Sequence, residues 1–216
     1  MQSIWSIRPS APARLASTRE RLIDAASVLF YEQGFHAIGL DRILEEVGVT
    51  KTTFYNHFES KDALIVALLE HRDGRDMEAL RLELDRRGGE PREQLLGVFD
   101  VLDDWFRDEG FNGCLFINAA AQFPNPNDPV HVAALRHQEH VEQALVVLAR
   151  EAGAADPDEL GRQLCMLVAA GISARHLGGD ADAARTARRM AEVLVDNAVN
   201  RASSRPPLPD GRPKVR

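Results

Sequence analysis

The stretch that decides the fold runs from Leu40 to Phe58 and reads LDRILEEVGVTKTTFYNHF. It holds two short segments whose apolar residues lie three and four positions apart, separated by Val47-Gly48-Val49-Thr50. Because glycine adopts positive φ without steric cost, Gly48 can form the tight turn between two helices. The spacing therefore predicts a helix-turn-helix, with Phe54 and Phe58 facing the core.

The second helix of this motif leaves polar side chains on its outward face. In helix-turn-helix proteins, residues in the N-terminal part of that helix meet base edges in the major groove. Lysine, threonine, tyrosine and histidine supply donors for phosphate oxygens or bases, and the start of the following helix favours an anionic phosphate. The predicted DNA-binding residues are Thr50, Lys51, Thr52, Tyr55, Asn56, His57 and Lys61.

Composition is consistent with a globular protein. The 216 residues exceed the ~150 of a usual domain, which favours two folding units. The net charge is −7, but residues 1–61 hold seven basic and seven acidic side chains, whereas residues 62–200 hold fourteen basic and twenty-five acidic ones. Since the acidity lies outside the helix-turn-helix, the negative total does not exclude DNA binding.

Apolar residues recur three and four apart through the rest of the chain, without strand-like alternation. Helix starts are marked by the capping box Ser17-x-x-Glu20 and by Asp128-Pro129 and Asp156-Pro157. Glycines mark the stops, among them Gly34, Gly110 and Gly153. The fold class predicted is all-α, an N-terminal three-helix helix-turn-helix domain plus a larger C-terminal bundle, with about nine helices near residues 17–33, 40–47, 51–57, 61–86, 91–108, 114–123, 129–152, 157–177 and 180–201.

These patterns divide the chain into four parts. The ends carry prolines without apolar periodicity and are predicted to be disordered. The predicted parts are an arm at 1–16, a helix-turn-helix DNA-binding domain at 17–60, a larger helical domain at 61–201, and a tail at 202–216.

Gly34-Phe35, Ile43 to Gly48, and Thr50 to Phe58 followed by Lys61-Asp62-Ala63-Leu64 closely resemble the N-terminal domain of the TetR family of bacterial transcriptional regulators. The resemblance covers about residues 17–66. It implies a homodimer that binds a palindromic double-stranded DNA operator, usually as a repressor, and releases DNA when a small-molecule effector binds the C-terminal domain.

Two features depart from the family pattern. Ile38-Gly39 stands where the family often has a pair of threonines or serines, so a hydroxyl cap and a phosphate contact are missing there. Asn56 occupies a position that is often aromatic or basic, which leaves the operator sequence open. A helical ligand-binding protein that does not bind DNA is therefore retained as an alternative.

The last two long helices form the dimer interface in this family. Here they carry apolar stripes interrupted by small residues, which permit close packing between helices. The alternative for such stripes is the core of one protomer. The predicted interface residues are Leu160, Leu164, Leu167, Gly171, Met190, Leu194 and Ala198.

Aromatic and polar side chains cluster between residues 99 and 140, as expected for a largely apolar ligand pocket. Asn118 and Gln122 lie one turn apart on an apolar helix, although bonds to neighbouring backbone would also explain them. His137 and His140 are also consistent with a solvated helix face. The predicted ligand-binding residues are Phe99, Trp105, Phe106, Cys114, Asn118, Gln122, Phe123 and His137.

Cys114 follows Gly113 at a predicted helix start, where the helix dipole can stabilise a thiolate. A redox or electrophile sensor acting through Cys114 is thus a second alternative, against a plain buried side chain. The two cysteines have no spacing for zinc, and no phosphate loop or catalytic motif appears. We therefore expect no metal, no cofactor and no enzyme activity.

No run of about 18 apolar residues occurs, and the first residues contain no apolar secretory segment. The sequence accordingly predicts a cytoplasmic protein without a membrane partner.

Overall fold

The computed structural model describes residues 17–203, with side chains to residue 200. The predicted arm, including Arg8 and Arg14, and nearly all of the predicted tail lie outside this range. Within it every element of regular secondary structure is an α-helix, so the predicted all-α fold class is confirmed. The nine helices are α1 (Thr18–Gln33), α2 (Leu40–Val47), α3 (Lys51–Tyr55), α4 (Lys61–Arg87), α5 (Pro91–Phe106), α6 (Leu115–Gln122), α7 (Pro129–Glu151), α8 (Pro157–Gly178) and α9 (Ala183–Ser203).

The predicted helix starts are confirmed by their caps. The Ser17 hydroxyl accepts from the backbone N–H of Glu20, whose carboxylate accepts from the N–H of Ser17. Asp128 and Asp156 cap α7 and α8, each followed by proline at the first helical position. Because these groups satisfy N–H donors that the helix cannot pair, they set the helix boundaries.

Two local predictions were wrong. The recognition helix α3 ends at Tyr55 rather than at residue 57. Gly110 does not adopt positive φ, since α5 already ends at Phe106 with Arg107 still right-handed, and the left-handed residue of this loop is Gly113 at φ 79°. A glycine with positive φ therefore does lie in this loop, but at Gly113 rather than at Gly110.

In the N-terminal domain, α1 packs on α2 and on α4, and α2 packs on α3. Phe30, Phe35 and Phe54 are almost completely buried and belong to the same core as Leu64 and Leu68 of α4. Burial of Phe54 anchors one face of α3 and leaves the opposite face to solvent.

The C-terminal bundle comprises α4 to α9. The helices α7 and α8 approach closely at Gly161, where an added Cβ would lie 2.9 Å from the backbone nitrogen of Val146. α9 packs on α5 and α8, and α6 packs on α7. Buried residues of α1 and of the bundle belong to one continuous core, so the two units meet along α4 and α6.

Candidate DNA-binding face and ligand cavity

The turn between α2 and α3 has the predicted geometry. Gly48 is left-handed, with φ 73° and ψ 42°, and its N–H bonds the carbonyl oxygen of Leu44. The Thr50 hydroxyl accepts from the N–H of Thr53 at 3.2 Å and so caps α3. Gly39 caps α2 without a side-chain bond, as expected from Ile38-Gly39.

This geometry brings most of the predicted DNA-binding residues to one exposed surface, which we call the recognition face. Phe54 and Phe58 anchor its inner side and are 0% and 5% exposed. The recognition face comprises the exposed residues Thr50, Lys51, Thr52, Tyr55, Asn56 and His57. Its hydroxyl, amide, imidazole and ammonium groups are the donors that phosphate and base edges require.

An acidic side chain neutralises part of the recognition face. Nζ of Lys51 lies 2.9 Å from Oδ1 of Asp41 on α2. The hydrogen bond and charge of Asp41 raise the pKa of Lys51. A DNA phosphate must therefore compete with Asp41 for Lys51.

Lys61 differs from the other predicted DNA contacts. Its Nζ donates to the carbonyl oxygen of Phe35 at 2.6 Å and lies 5.4 Å from the ring centre of Phe30. Partial burial lowers its pKa. Lys61 thus ties the start of α4 to the loop after α1, and a phosphate contact by Lys61 stays a prediction.

Two adjoining cavities, of about 70 and 250 Å³, lie among α4 to α8. They share six lining residues, and the walls are mainly apolar. The first is lined by Tyr31, Arg72, Asp76, Met77, Leu80, Val98, Leu102, Trp105, Cys114, Leu115, Phe116, His137, Val141, Val168 and Ile172. The second adds Ile117, Ala120, His131, Ala134, Leu135, Gln138, Cys165 and Ala169.

Three predicted ligand residues, Trp105, Cys114 and His137, line this site. The other five do not, which corrects the sequence-based assignment. Phe99 and Phe106 are core residues, and Asn118 donates to the carbonyl oxygen of Asn112. Gln122 and Phe123 face the N-terminal domain instead, because α6 ends beside the loop after α1.

Gln122 connects the two domains directly. Its Oε1 accepts from the N–H of Phe35 at 2.9 Å and of His36 at 3.3 Å. The imidazole Nε2 of His36 lies 2.8 Å from the carbonyl oxygen of Gln122, and the ring contacts Phe123. The sequence contained no signal for this contact, because its partners are more than 80 positions apart.

Tyr31 makes a second connection between α1 and the loop before α6. Its hydroxyl donates to the carbonyl oxygen of Gly113 at 3.0 Å and accepts from the N–H of Asn112 at 2.7 Å. Burial raises the pKa of Tyr31 to about 12, so the hydroxyl keeps its proton at neutral pH. Since Tyr31 also lines the first cavity, this connection reaches from the cavity to the DNA-binding domain.

Charged groups of α4 border the first cavity. Nε of Arg72 contacts both carboxylate oxygens of Asp76, at 2.8 and 2.9 Å. Asp73 accepts from Nδ1 of His137 at 2.8 Å and of His140 at 2.6 Å. Burial acts to raise the pKa of Asp73, but the two histidine hydrogen bonds outweigh it and the pKa is lowered.

His137 was also considered as part of a solvated helix face, and the structure corrects this. Its ring stacks on Phe116 with centroids 3.6 Å apart, and it lines both cavities. His140, by contrast, is more than half exposed.

Cys114 caps α6 and lines both cavities. Burial raises the pKa of its thiol to about 11, although backbone N–H groups of Ile117 and Phe116 act in the opposite direction. The stabilisation expected at a helix start is therefore present but smaller than the desolvation penalty.

The predicted interface residues separate into two groups. Leu160, Leu164 and Gly171 are buried inside the protomer, so they belong to its core. Met190 is 54% exposed, and Leu167, Leu194 and Ala198 are partly buried. The exposed apolar side chains of α8 and α9 are Met166, Leu177, Met190 and Val193.

Among the described residues, no group of three or more histidine, cysteine or carboxylate side chains could hold a metal ion. In the same part of the chain, no helix is long and apolar enough to cross a membrane.

An N-terminal helix-turn-helix joined to a helical domain with an apolar cavity is the arrangement expected of a DNA-binding transcriptional regulator. Residues 22–68 match the model described as bacterial regulatory proteins, tetR family, and residues 89–191 match the model for a tetracyclin repressor-like C-terminal domain. The chain belongs to the TetR family of bacterial transcriptional regulators.

The chain is similar to SCO4454, a TetR-family transcriptional regulator from Streptomyces coelicolor whose crystal structure superposes with a TM-score of 0.74. The two sequences are 32% identical, and the match covers 84% of this chain and 96% of SCO4454. The transcriptional regulator TcmR of Streptomyces glaucescens is 30% identical over 67% of this chain and 65% of its own length. The transcriptional repressor NemR of Escherichia coli is 31% identical over 49% of this chain and 53% of its own. Matches to the first curated relatives span from about a third to about half of their length.

Proposed function

We propose that the chain is a homodimeric repressor that leaves a palindromic operator when a small molecule occupies its cavity. The observation that carries this proposal is the path of α4. The helix begins at Lys61, shortly after the recognition face, and lines the cavity further along through Arg72, Asp76 and Leu80. A ligand that prefers one position of α4 would change the position of the helix-turn-helix.

Dimerisation makes this movement effective. Two recognition helices must meet half-sites one helical turn apart, about 34–36 Å, so a small change in domain spacing weakens binding. The exposed apolar residues Met166, Met190 and Val193 offer a surface for a second copy. We propose that they contribute to the dimer interface with Leu167, Leu194 and Ala198.

The recognition face supports the DNA-binding half of the proposal. Lys51 and Tyr55 are its exposed cationic and phenolic groups. Selection from random duplex DNA at moderate salt tests it directly, because non-specific binding falls steeply with salt. We expect the protein to enrich a palindrome and the Lys51→Ala/Tyr55→Ala variant to lose it. If the folded, dimeric protein enriches no sequence, the chain is instead a ligand-binding protein without DNA binding.

A second candidate is a thiol-based sensor acting through Cys114, because this residue lines both cavities. The raised pKa of its thiol opposes this candidate, since the thiolate is the reactive form. Release from DNA by oxidants or electrophiles that disappears in Cys114→Ser would favour it. Release that survives in Cys114→Ser would remove it.

A further inference from the structure

We propose that the cavity binds an uncharged aromatic molecule bearing a hydroxyl group, which donates a hydrogen bond to Nε2 of His137. This inference rests on the proposed function, since it names the ligand class of the same cavity. Three observations support it: the apolar walls of the cavities, the pairing of Arg72 with Asp76 at the first cavity, and the position of Nε2 of His137.

The walls fit a flat apolar ligand of a few rings. The two cavities, of about 70 and 250 Å³, together lie at the small end of the range for ligand sites. Trp105 borders the first, and the stacked pair Phe116 and His137 borders both. Aromatic rings pack favourably against such a surface.

The charges at the cavity disfavour an ionised ligand. An anionic ligand would have to displace Asp76 from two short contacts with Nε of Arg72. A cationic ligand would meet the positive charge of Arg72. Because an unpaired charge in an apolar site is costly, an uncharged molecule is favoured.

Other polar groups of the first cavity are already engaged. The Tyr31 hydroxyl both donates and accepts, and the Arg72 guanidinium pairs with Asp76. In the second cavity, Nδ1 of His131 bonds the carbonyl oxygen of Phe123, and the Gln138 amide donates to Cys165.

His137 is the polar group common to both cavities whose position is fixed by a carboxylate. Asp73 only accepts, so Nδ1 of His137 carries the hydrogen of this bond, and in that tautomer Nε2 is the acceptor nitrogen of the ring. Within residues 17–200, Nε2 has no hydrogen-bond partner. The carboxylate behind the ring orients it and strengthens Nε2 as an acceptor, as for histidines that bind metals. A ligand hydroxyl is the complementary donor.

Three compounds of similar shape test the proposal at pH 7 in the full-length protein: 2-naphthol, 2-methoxynaphthalene and 2-naphthoate. A Trp5→Phe background leaves Trp105 as the single tryptophan, whose fluorescence reports binding. We expect 2-naphthol to bind about tenfold more tightly than 2-methoxynaphthalene, which has no donor, and 2-naphthoate to bind least.

In His137→Phe, which keeps an aromatic ring on Phe116, the two uncharged compounds should bind equally. His140→Phe is the matched control, because His140 shares Asp73 and does not line either cavity. Asp73→Asn keeps the imidazole of His137 and should reduce the preference for 2-naphthol over 2-methoxynaphthalene. This variant also tests the proposal if His137→Phe does not fold.

Equal binding of the two uncharged compounds to the parent protein, tighter binding of 2-naphthoate, a preference that persists in His137→Phe, or no change in Trp105 fluorescence would each overturn the proposal. DNA selection separates this outcome from failure of the proposed function. A protein that enriches a palindrome but shows no naphthol preference remains a repressor with another ligand class. A protein with the His137-dependent preference and no operator has the inferred site without the regulatory function.

Discussion

At the scale of single residues, charge and burial determine which side chains can act. Lys51 and Tyr55 are exposed at the recognition face, as the helix-turn-helix pattern predicts. Asp41, the second residue of α2, competes with DNA for Lys51 because its carboxylate pairs with the ammonium group. Cys114 sits where a reactive thiol was considered, and burial instead favours the protonated form.

Asp41→Asn should strengthen operator binding. The change removes a negative charge beside the phosphates and frees Lys51, and exposed ion pairs of this kind contribute up to about fivefold in affinity. Fluorescence anisotropy with the selected operator measures the effect. Glu45→Gln is the control, since Glu45 pairs with Arg42 rather than Lys51. Equal gains in both variants would mean that only net charge matters.

Cys114 should react slowly with thiol reagents in the folded protein. In Cys165→Ser protein at pH 8, a thiol pKa of about 11 leaves roughly a hundredth of the thiolate of an ordinary cysteine. Because the thiolate is the form that reacts, the labelling rate of the folded protein should keep rising as the pH approaches 11. The labelling rate of the unfolded chain should level off at a lower pH, since its thiol pKa is not raised by burial. A time course with a chromogenic disulfide reagent checks this. Labelling at the unfolded rate at pH 8 would restore the sensor candidate.

At the scale of the elements, caps and small residues set where helices begin and how closely they approach. The capping box at Ser17 and the Asp-Pro starts of α7 and α8 were predictable because each is local in sequence. The close approach of α7 and α8 was not, because Gly161 gives no sign in the sequence of what lies against it.

Gly161→Ala should therefore destabilise the bundle by about 1–3 kcal/mol, since its methyl group would press on the backbone of Val146. Gly74→Ala is the matched control: Gly74 lies within α4 with nothing within 4 Å of an added Cβ, so this change should stabilise by about 0.5–1 kcal/mol. Denaturant unfolding measures both. A neutral Gly161→Ala would contradict the packing described for α7 and α8.

At the scale of the whole molecule, two connections join the domains. The helix α4 is the first, since it begins after the helix-turn-helix and lines the first cavity. The contacts of Gln122 with Phe35 and His36, and of Tyr31 with Gly113, add a second connection through α6. Because residues of α4 and α6 line the cavities, the cavities and the DNA-binding domain are connected through both helices.

Gln122→Ala should weaken this second connection without changing the cavity. We expect 2-naphthol affinity to be unchanged and the ligand-induced loss of operator binding to shrink about fivefold. Operator anisotropy with and without 2-naphthol gives the coupling. Gln94→Ala, which removes a local bond to the carbonyl oxygen of Gly89 at the start of α5, is the control. Full coupling in Gln122→Ala would leave α4 as the sole route.

Val193→Glu should dissociate the proposed dimer, because a two-fold interface brings identical charges into the same apolar surface. Leu82→Glu is the matched control, since Leu82 is a similarly exposed apolar residue on α4, away from the proposed interface. Sedimentation measures the mass of each variant. A dimer that persists in Val193→Glu places the interface elsewhere.

The sequence by itself determined the all-helical fold, the helix-turn-helix and the recognition face. These depend on periodicity, caps and a turn glycine, all of which act between residues a few positions apart. Only the tertiary structure decided which aromatic and polar residues meet at the cavity. Gln122 and Phe123 share the composition expected of a ligand pocket, yet partners more than 80 positions away along the chain direct them elsewhere. Asn118 instead bonds the carbonyl oxygen of Asn112, in the loop just before α6. Long-range packing also separated the buried Leu160 and Leu164 from the exposed Met190, because a helical stripe does not specify whether its partner lies in the same protomer or another.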